Sequence, residues 1–528
     1  METEDKTVQT EEPVAQQGGT AAAPEYKGFA AKLDKFFGIR KAGSTFRKEI
    51  IGGLVTFMAM VYILPVNAGM LSLTGPSFGA IYIATALSAI IGTMLMSLLA
   101  RLPMAQASGM GLNAFFTYTI CFTFGLSYAN ALVLILIDGV VFILLTVTGL
   151  RKMLFNAIPK VVRVAIPAGI GLFIAFIGMQ NVGLVTTDAQ IVDGAVNSAT
   201  IVKLASFNLL PAKMGGSATY GSVMPLIVTI VGIMAVAIMS KKGVKGAVLW
   251  AILGGAALYW ILMAIGYGYG DASCIHVIDT FTFDNPGTAF KDWGTQAVGK
   301  VFSDGFNFDG YLATHNGGSL ALVIISSSFA FCLVDMFDTM GTLYGACARG
   351  NMLEEDGGIP NINKAMICDA IATTAGAIGG TSTVTTFVES SAGIGAGART
   401  GLASLMTAGC FLVAMFLSPI AAMIPSAATS IALIYVGVLM MNCVREIEWT
   451  DAAEAVPAFL TIAMMPLTYN ISYGIAFGII SWLVIKACLM LFKGKKTEPE
   501  TLDKSEEKIN VVTIVIAVMF ILMFFLTH

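Results

Sequence analysis

Residues 379–393 read Gly379-Gly-Thr-Ser-Thr-Val-Thr-Thr-Phe-Val-Glu389-Ser-Ser-Ala-Gly393, and this stretch decides the fold. It lies between long apolar segments, yet it carries one carboxylate, Glu389, among seven hydroxyl side chains. A charge at membrane depth costs about 2.5–3.5 kcal/mol or more, so it usually faces a partner, a cavity or a transport pathway. The run of β-formers before Glu389 favours extended backbone, which survives in a bilayer only where protein buries it or it lines a cavity. We therefore expect a short strand and a half-helix that present Glu389 to something polar.

The composition is that of a membrane protein. Of the 528 residues, 56% are hydrophobic and only 12% are charged, which excludes an ordinary soluble domain. The net charge of −3 gives no indication of a nucleic-acid partner. The eight cysteines lack CxxC spacing and the chain has only three histidines, so we expect core packing rather than disulfides, a metal site or another cofactor.

Long apolar runs predict an all-α polytopic membrane protein with fourteen transmembrane segments. The predicted segments are 49–72, 78–100, 108–124, 128–150, 162–182, 222–240, 245–267, 319–346, 365–380, 382–397, 401–423, 426–443, 454–469 and 471–492. A fifteenth apolar run, from Ile509 to Leu526, follows a charged linker, and its topology is left open.

Basic residues predict the orientation of these segments. The even-numbered loops carry the cations, which are Arg101, Arg151, Lys152, Lys160, Arg163, Lys241, Lys242, Lys245, Arg349, Lys364, Arg399, Arg445, Lys493, Lys495 and Lys496. The two long odd-numbered loops, 183–221 and 268–318, are mainly acidic. By the positive-inside rule the N-terminus is cytoplasmic, and the protein lies in the cell membrane, plasma or inner, with the bilayer as a partner.

Internal similarity predicts two inverted halves. Phe57-Met-Ala-Met-Val-Tyr-Ile-Leu-Pro-Val-Asn-Ala-Gly69 aligns with Phe329-Ala-Phe-Cys-Leu-Val-Asp-Met-Phe-Asp-Thr-Met-Gly341, and Ile158-Pro with Ile424-Pro. Because seven segments, an odd number, separate the partners, the halves have opposite orientation, which is typical of secondary transporters. The predicted organisation is a polar then basic tail 1–48, a first repeat 49–267, an extracytoplasmic loop 268–318, a second repeat 319–492, and a charged linker with a hydrophobic segment 493–528.

Segments three and ten occupy matching positions in the halves, and both are short and glycine-marked, which points to a binding site. Gly111 permits close backbone approach, and Asn113 offers both donors and acceptors. In segment eight, Asp335 and Asp338 are three residues apart and share a helical face, so at least one is expected to act in function, for example by carrying a proton. Glu389 accepts from N–H groups, so its natural ligand is a neutral, flat molecule with N–H donors.

These motifs resemble the AzgA-like branch of the nucleobase–cation symporter-2 family, the hypoxanthine, guanine and adenine permeases. The resemblance covers about Phe37 to Phe492 and is carried by Gly109-Met-Gly-Leu-Asn113-Ala-Phe-Phe, Asp335-Met-Phe-Asp338-Thr-Met-Gly-Thr-Leu and Gly380-Thr-Ser-Thr-Val-Thr-Thr-Phe-Val-Glu389-Ser-Ser-Ala-Gly-Ile. It implies a seven-plus-seven inverted repeat with UraA-like core and gate domains, in which segments 1–4 and 8–11 form the core and segments 5–7 and 12–14 the gate. It also implies short strands in segments three and ten, and a homodimer through the gate domains.

The expected function is import of a purine base by proton symport, without a catalytic or metal site. We expect Glu389, Asp335, Asn113, Gly111 and Ser390 to bind the base. We expect the proton to be carried by Asp338, or by the pair Asp335 and Asp338. The alternatives are a transporter of the same fold for uracil, xanthine or an anion, or a channel. Gly268-Tyr-Gly-Asp271 matches one of the two motifs of intramembrane aspartyl proteases. The second motif, Tyr-Asp, is missing from the chain, which argues against a protease. The preferred purine, the choice of proton or sodium, the stoichiometry and the role of the 268–318 loop are not predicted.

Overall fold

The computed structural model describes residues 27–150, 157–192, 195–204, 206–207, 218–271, 273–274, 286–354, 358–492 and 509–526. The predictions for the start of the N-terminal tail, for the charged linker 493–508 and for parts of the two long loops therefore lie outside the described residues. Within the described ranges, ten helical stretches are long and apolar enough to cross a membrane, so the chain is a multi-pass membrane protein.

The elements follow one another in a long helical series. In chain order they are α1 Phe29–Phe37, α2 Phe46–Met60, α3 Ile63–Leu71, α4 Phe78–Leu95, β1 Gln106–Ser108, α5 Met110–Ala114, α6 Tyr128–Thr148, α7 Lys160–Asn181, β2 Val185–Val192, β3 Ala195–Leu204, α8 Tyr220–Lys241, α9 Ala247–Gly268, α10 Pro286–Asp292, α11 Lys300–Ser303, α12 Asp309–Leu312, α13 Gly317–Arg349, α14 Ile362–Gly379, β4 Val384–Thr386, α15 Ser390–Gly395, α16 Gly401–Ala414, α17 Ser418–Ala422, α18 Ser426–Met440, α19 Ala452–Thr468, α20 Ile471–Phe492 and α21 Val511–Leu526.

Four predicted segments are not among these ten stretches. Segments 108–124, 365–380, 382–397 and 454–469 form shorter, broken or less apolar helices. Segment three, for example, continues from α5 as π-helical turns over Phe115–Thr123. The count of fourteen therefore stays a prediction.

The first predicted segment is one span in two pieces, α2 and α3. The break falls at Val61 and Tyr62, four and three residues before Pro65. Proline has no N–H to donate, and its ring clashes with the carbonyl four residues earlier, so it breaks or kinks a helix there. The Val61 carbonyl instead accepts from the Leu64 N–H at 3.2 Å. The break places the Tyr62 side chain inside the protein, where it is 1% exposed.

The helices pack in the two groups that the resemblance implies. The first group comprises α2 to α6 and α13 to α17, with β1 and β4; contacts of α6 with α13 and α14, and of α16 with α2 and α4, hold it together. The second group comprises α7 to α9 and α18 to α20, in which α7 packs on α18 and α19, and α19 on α20. The division of the chain into the inverted halves 49–267 and 319–492 stays a prediction.

One strand pair was not predicted from the sequence. β2 and β3 form an antiparallel hairpin in the loop after α7, with Val185 opposite Leu204 and an irregularity between Asp188 and Gln190. Long apolar runs predict the segments that span the membrane, and they give no information on structure in the loops between them.

Candidate functional site

Segments three and ten cross as a two-stranded sheet in the interior of the first group. β1 and β4 are antiparallel, with Ala107 opposite Thr385 at the centre of the register, and both strands are buried throughout. The pairing continues past both ends, because the Gly109 N–H donates to the Thr383 carbonyl and the Phe387 N–H donates to the Ala105 carbonyl, each at 3.0 Å. The extended backbone is thus buried in protein, as the bilayer requires.

Each strand runs into a short helix, which brings the two predicted half-helices to the crossing. Gly109 lies between β1 and α5 and faces β4. A Cβ atom at Gly109 would lie 2.9 Å from the Thr385 hydroxyl oxygen. Glycine is therefore needed for the close approach of the two chains at this point.

Glu389 lies at the end of β4, where it is the N-terminal cap residue of α15 and is half-buried. The Tyr62 hydroxyl donates to Glu389 Oε1 at 2.5 Å, from the break between α2 and α3. Among the described residues, no other side chain donates a hydrogen bond to Glu389. One carboxylate oxygen is thereby held in place, and the other is left to accept from a ligand.

Ser390 and Asn113 hold the crossing together in this conformation. The Ala105 N–H donates to Ser390 Oγ at 3.0 Å, which ties α15 to the start of β1. The Ser108 hydroxyl donates to Asn113 Oδ1 at 2.8 Å, which ties β1 to α5. Both side chains are buried, so a role in contacting a ligand stays a prediction for each.

Gly111 lies where the two helix groups meet. A Cβ at Gly111 would come within 2.3 Å of Ile170 Cγ2 on α7, a distance that real Cβ atoms essentially never show. The glycine thus lets α5 of the first group rest directly on α7 of the second.

The two carboxylates of segment eight have different surroundings. Asp338 is half-buried and neighbours both the Thr385 hydroxyl and Glu389. Asp335 is 0% exposed; its Oδ2 accepts from the Thr373 hydroxyl at 3.2 Å, and its Oδ1 has no hydrogen-bond partner among the described residues. Asp338 thus lies near Glu389, whereas Asp335 is fully buried in this conformation, so a role in contacting a ligand stays a prediction for Asp335.

Two further carboxylates surround Asp335, and the sequence reasoning missed both. Asp369 on α14 and Asp138 on α6 are fully buried neighbours of Asp335. Asp369 Oδ1 accepts from Gln106 Nε2 at 2.7 Å, so it is joined to β1, whereas neither oxygen of Asp138 has a hydrogen-bond partner among the described residues. The rule that singled out Asp335 identifies both as well, because each is a lone carboxylate inside an apolar helix.

The site is rich in acceptors and poor in positive charge. β1, β4, α5 and α15 contain no Lys or Arg, and the only one in α13 is its last residue, Arg349. No group of three or more His, Cys, Asp or Glu in the described part of the chain could hold a metal ion. Such a site suits a neutral ligand with N–H donors better than an anion, which pairs with Arg, Lys or free N–H groups.

Comparison with known proteins identifies the family. Residues 47–477 match the family described as the Permease family. The chain is 35% identical over 494 residues to the guanine/hypoxanthine permease PbuO of Bacillus subtilis, a match that covers 93% of this chain and 100% of PbuO. It is also 35% identical over 454 residues to the adenine permease AdeP of Escherichia coli, covering 86% of this chain and 90% of AdeP.

Solved structures share the fold at low sequence identity. The transmembrane domain of the cyanobacterium bicarbonate transporter BicA has a TM-score of 0.54 at 16% identity, and the match covers 81% of this chain and 97% of that one. SLC26A9 has a TM-score of 0.55 at 11% identity, covering 88% of this chain and 69% of that one. These structures show the fold alone, whereas the family match and the two relatives at 35% identity identify the family: the chain belongs to the Permease family of nucleobase–cation symporter-2 proteins that its motifs resemble, and it is a transporter rather than an enzyme.

Proposed function

We propose that the protein imports purine nucleobases across the cell membrane by proton symport, with its N-terminus in the cytoplasm. The observation that carries the proposal is Glu389, which stands at the crossing of β1 and β4 with one oxygen held by Tyr62. Its second oxygen is suited to accept from a ring or exocyclic N–H of a flat base. The names of two relatives, a guanine/hypoxanthine permease and an adenine permease, support a purine.

The neighbours of Glu389 complete the proposed base site. Asp338 lies on the side of α13 that faces Glu389, and its carboxylate offers a second hydrogen-bond acceptor. Backbone groups at Gly111, with Asn113 and Ser390, form the polar rim of the site. Binding near the meeting of the two half-helices, with the first helix group moving against the second, is the alternating-access arrangement of transporters with broken helices.

Proton coupling is assigned to the carboxylates of α13. Asp335 fits this role better than base binding, because it is fully buried behind the strands and its Oδ1 is unpartnered among the described residues. Its contact with Thr373 links it to the strand pair, since that threonine also bonds the Val384 backbone. Protonation of Asp335 can therefore affect β4, and through it Glu389, by way of the Thr373 hydrogen bonds. Asp338 is the second member of the proposed pair.

An anion transporter is the second candidate, because solved neighbours of the fold are a bicarbonate transporter and an anion transporter. The two candidates make opposite demands on Glu389, since an anion is repelled by a carboxylate at the half-helix whereas a base with N–H donors is attracted. We expect purified protein in liposomes to take up radiolabelled hypoxanthine when a proton gradient is imposed. We expect Glu389→Gln to lose most of this uptake, because an amide presents an N–H where the base needs an acceptor.

The matched control is Glu448→Gln, which removes an exposed carboxylate outside the site and is expected to transport at the wild-type rate. Wild-type uptake by Glu389→Gln contradicts the assigned role of Glu389. Competition by unlabelled purines, uracil and bicarbonate identifies the substrate class. Uptake of labelled bicarbonate without uptake of labelled hypoxanthine favours the anion transporter, and currents that persist without a proton gradient favour a channel.

A further inference from the structure

The C-terminal apolar helix α21, here called the terminal helix, packs across both helix groups. It contacts α13 of the first group and α20 of the second. Its length of 16 residues is short for a span of the hydrocarbon core, which takes about 20 residues. The terminal helix lies outside the family resemblance, which ends near Phe492. It also lies outside the family match, which ends at residue 477.

One face of the terminal helix is buried against these neighbours. Thr513, Ala517 and Phe520 are almost inaccessible, and their spacing of four and three residues puts them on one helical face. Phe520 is 0% exposed, whereas Phe525, on the other side, is 78% exposed. The two phenylalanines provide a matched pair, because they have the same chemistry and opposite surroundings.

Specific contacts fasten the helix on both sides. On the first group, the Phe520 ring lies 6.2 Å from the Phe329 ring of α13, six residues before Asp335. On the second group, the Phe524 ring lies 5.2 Å from both Tyr473 and Phe477 of α20.

A hydrogen bond adds a further attachment near the second group. The Thr513 hydroxyl donates to the Ala157 carbonyl, three residues before α7 begins. The terminal helix thus holds α20 and the start of α7 with its aromatic and polar contacts, and it reaches α13 through Phe520.

We propose that the terminal helix is an intramolecular brace that joins α13 to α20 and restrains movement of the first helix group against the second. Aromatic rings packed against both groups resist their relative sliding, because packed interfaces shift between discrete arrangements rather than deforming continuously. Any movement of α13 that carries Asp335 past α20 must break or slide the Phe520–Phe329 contact. The inference rests on the proposed function in one respect, that the two groups move during transport.

The test measures that movement directly and without any substrate. Spin labels are placed at Val413 on α16 and Leu467 on α19, both exposed and one on each group, after Cys410, Cys443 and Cys488 are replaced by serine. Pulsed electron resonance then gives the distribution of distances between the labels. We expect Phe520→Ala to broaden this distribution or add a second population, and Phe525→Ala to leave it unchanged.

A deletion of residues 509–528 provides a second variant in case Phe520→Ala misfolds, and it is expected to broaden the distribution at least as much. Both variants are compared with the parent by size-exclusion profile in detergent. An unchanged distribution in a folded Phe520→Ala or deletion variant overturns the proposal, as does equal broadening by Phe525→Ala. Because the distances are measured without a base, failure of the purine assignment leaves this test intact.

Discussion

Thr93 and Thr373 hold the two crossing strands in the same way. The Thr93 hydroxyl on α4 accepts from the Gln106 N–H and donates to the Gln106 carbonyl, both at 3.0 Å. The Thr373 hydroxyl on α14 accepts from the Val384 N–H at 3.1 Å and shares its one hydrogen between the Val384 carbonyl and Asp335 Oδ2, each at 3.2 Å. Equivalent clamps on segments two and nine are what two inverted halves require, so this pair supports the predicted repeat.

Removing either clamp is expected to destabilise the crossing. Thr373→Val keeps the shape of the side chain but leaves the buried N–H and carbonyl of Val384 with one partner fewer each. An unsatisfied buried polar group costs about 1–3 kcal/mol, so we expect a clear fall in the melting temperature in detergent, and the same for Thr93→Val. The control is Thr148→Val, whose exposed hydroxyl bonds only its own helix at Leu144, and it should melt like the wild type. Equal melting temperatures for all three variants would refute the clamp.

Tyr62→Phe is expected to weaken binding of the base with little change in the maximal rate. Without the phenol, Glu389 Oε1 loses its donor and the carboxylate is free to turn away from the ligand. A hydrogen bond to a charged group contributes about 1.5–3 kcal/mol, so we expect the KM for the transported purine to rise about tenfold or more. Tyr82→Phe is the matched control, because this buried hydroxyl donates to the Ala414 carbonyl away from the site. If both variants raise KM equally, Tyr62 acts through stability and not through Glu389.

Composition and long apolar runs were sufficient to predict the fold class, a multi-pass helical membrane protein. Glu389 among threonines led to a strand followed by a half-helix, and the structure has β4 and α15 there. The break at Tyr62 was not predicted, because the apolar run 49–72 predicts one continuous helix despite Pro65. The hairpin of β2 and β3 and the packing of α21 were beyond the sequence, because each depends on which surfaces meet after folding.

The site was predicted less fully than the fold. Asn113, Asp338 and Glu389 were predicted because each is a polar residue that interrupts an apolar run near a glycine. Asp138 and Asp369 interrupt apolar runs as well, but no motif marks them, and only folding shows that three helices bring them to Asp335. Their place in a network, such as the link from Asp369 through Gln106 to β1, depends on distances that no spacing in the chain specifies.

Asp335→Asn is expected to separate transport from accumulation. The amide keeps an oxygen that can accept from Thr373, so the packing is retained, but it cannot take up and release a proton. We expect exchange of labelled for unlabelled base across the membrane to continue, while uphill accumulation driven by a proton gradient disappears. Asp309→Asn, at an exposed position of α12, should accumulate normally. Full accumulation by Asp335→Asn would show that Asp335 does not carry the coupled proton. A raised KM for the base would show instead that Asp335 takes part in binding it.

Gly111→Ala is expected to slow transport by wedging the two helix groups apart. The new methyl group would lie 2.3 Å from Ile170 Cγ2, so either α5 or α7 must move. Overpacking of this kind costs about 1–3 kcal/mol, which corresponds to a roughly five-fold to 160-fold fall in the uptake rate if the strain falls on the transport step. The double variant Gly111→Ala with Ile170→Ala removes the obstructing methyl group and should recover most of the rate. Gly345→Ala, on α13 with open space around its Cβ position, controls for the added methyl alone. A slow double variant would mean that the glycine is needed for contact with the base itself, because relief of the clash would then have no effect.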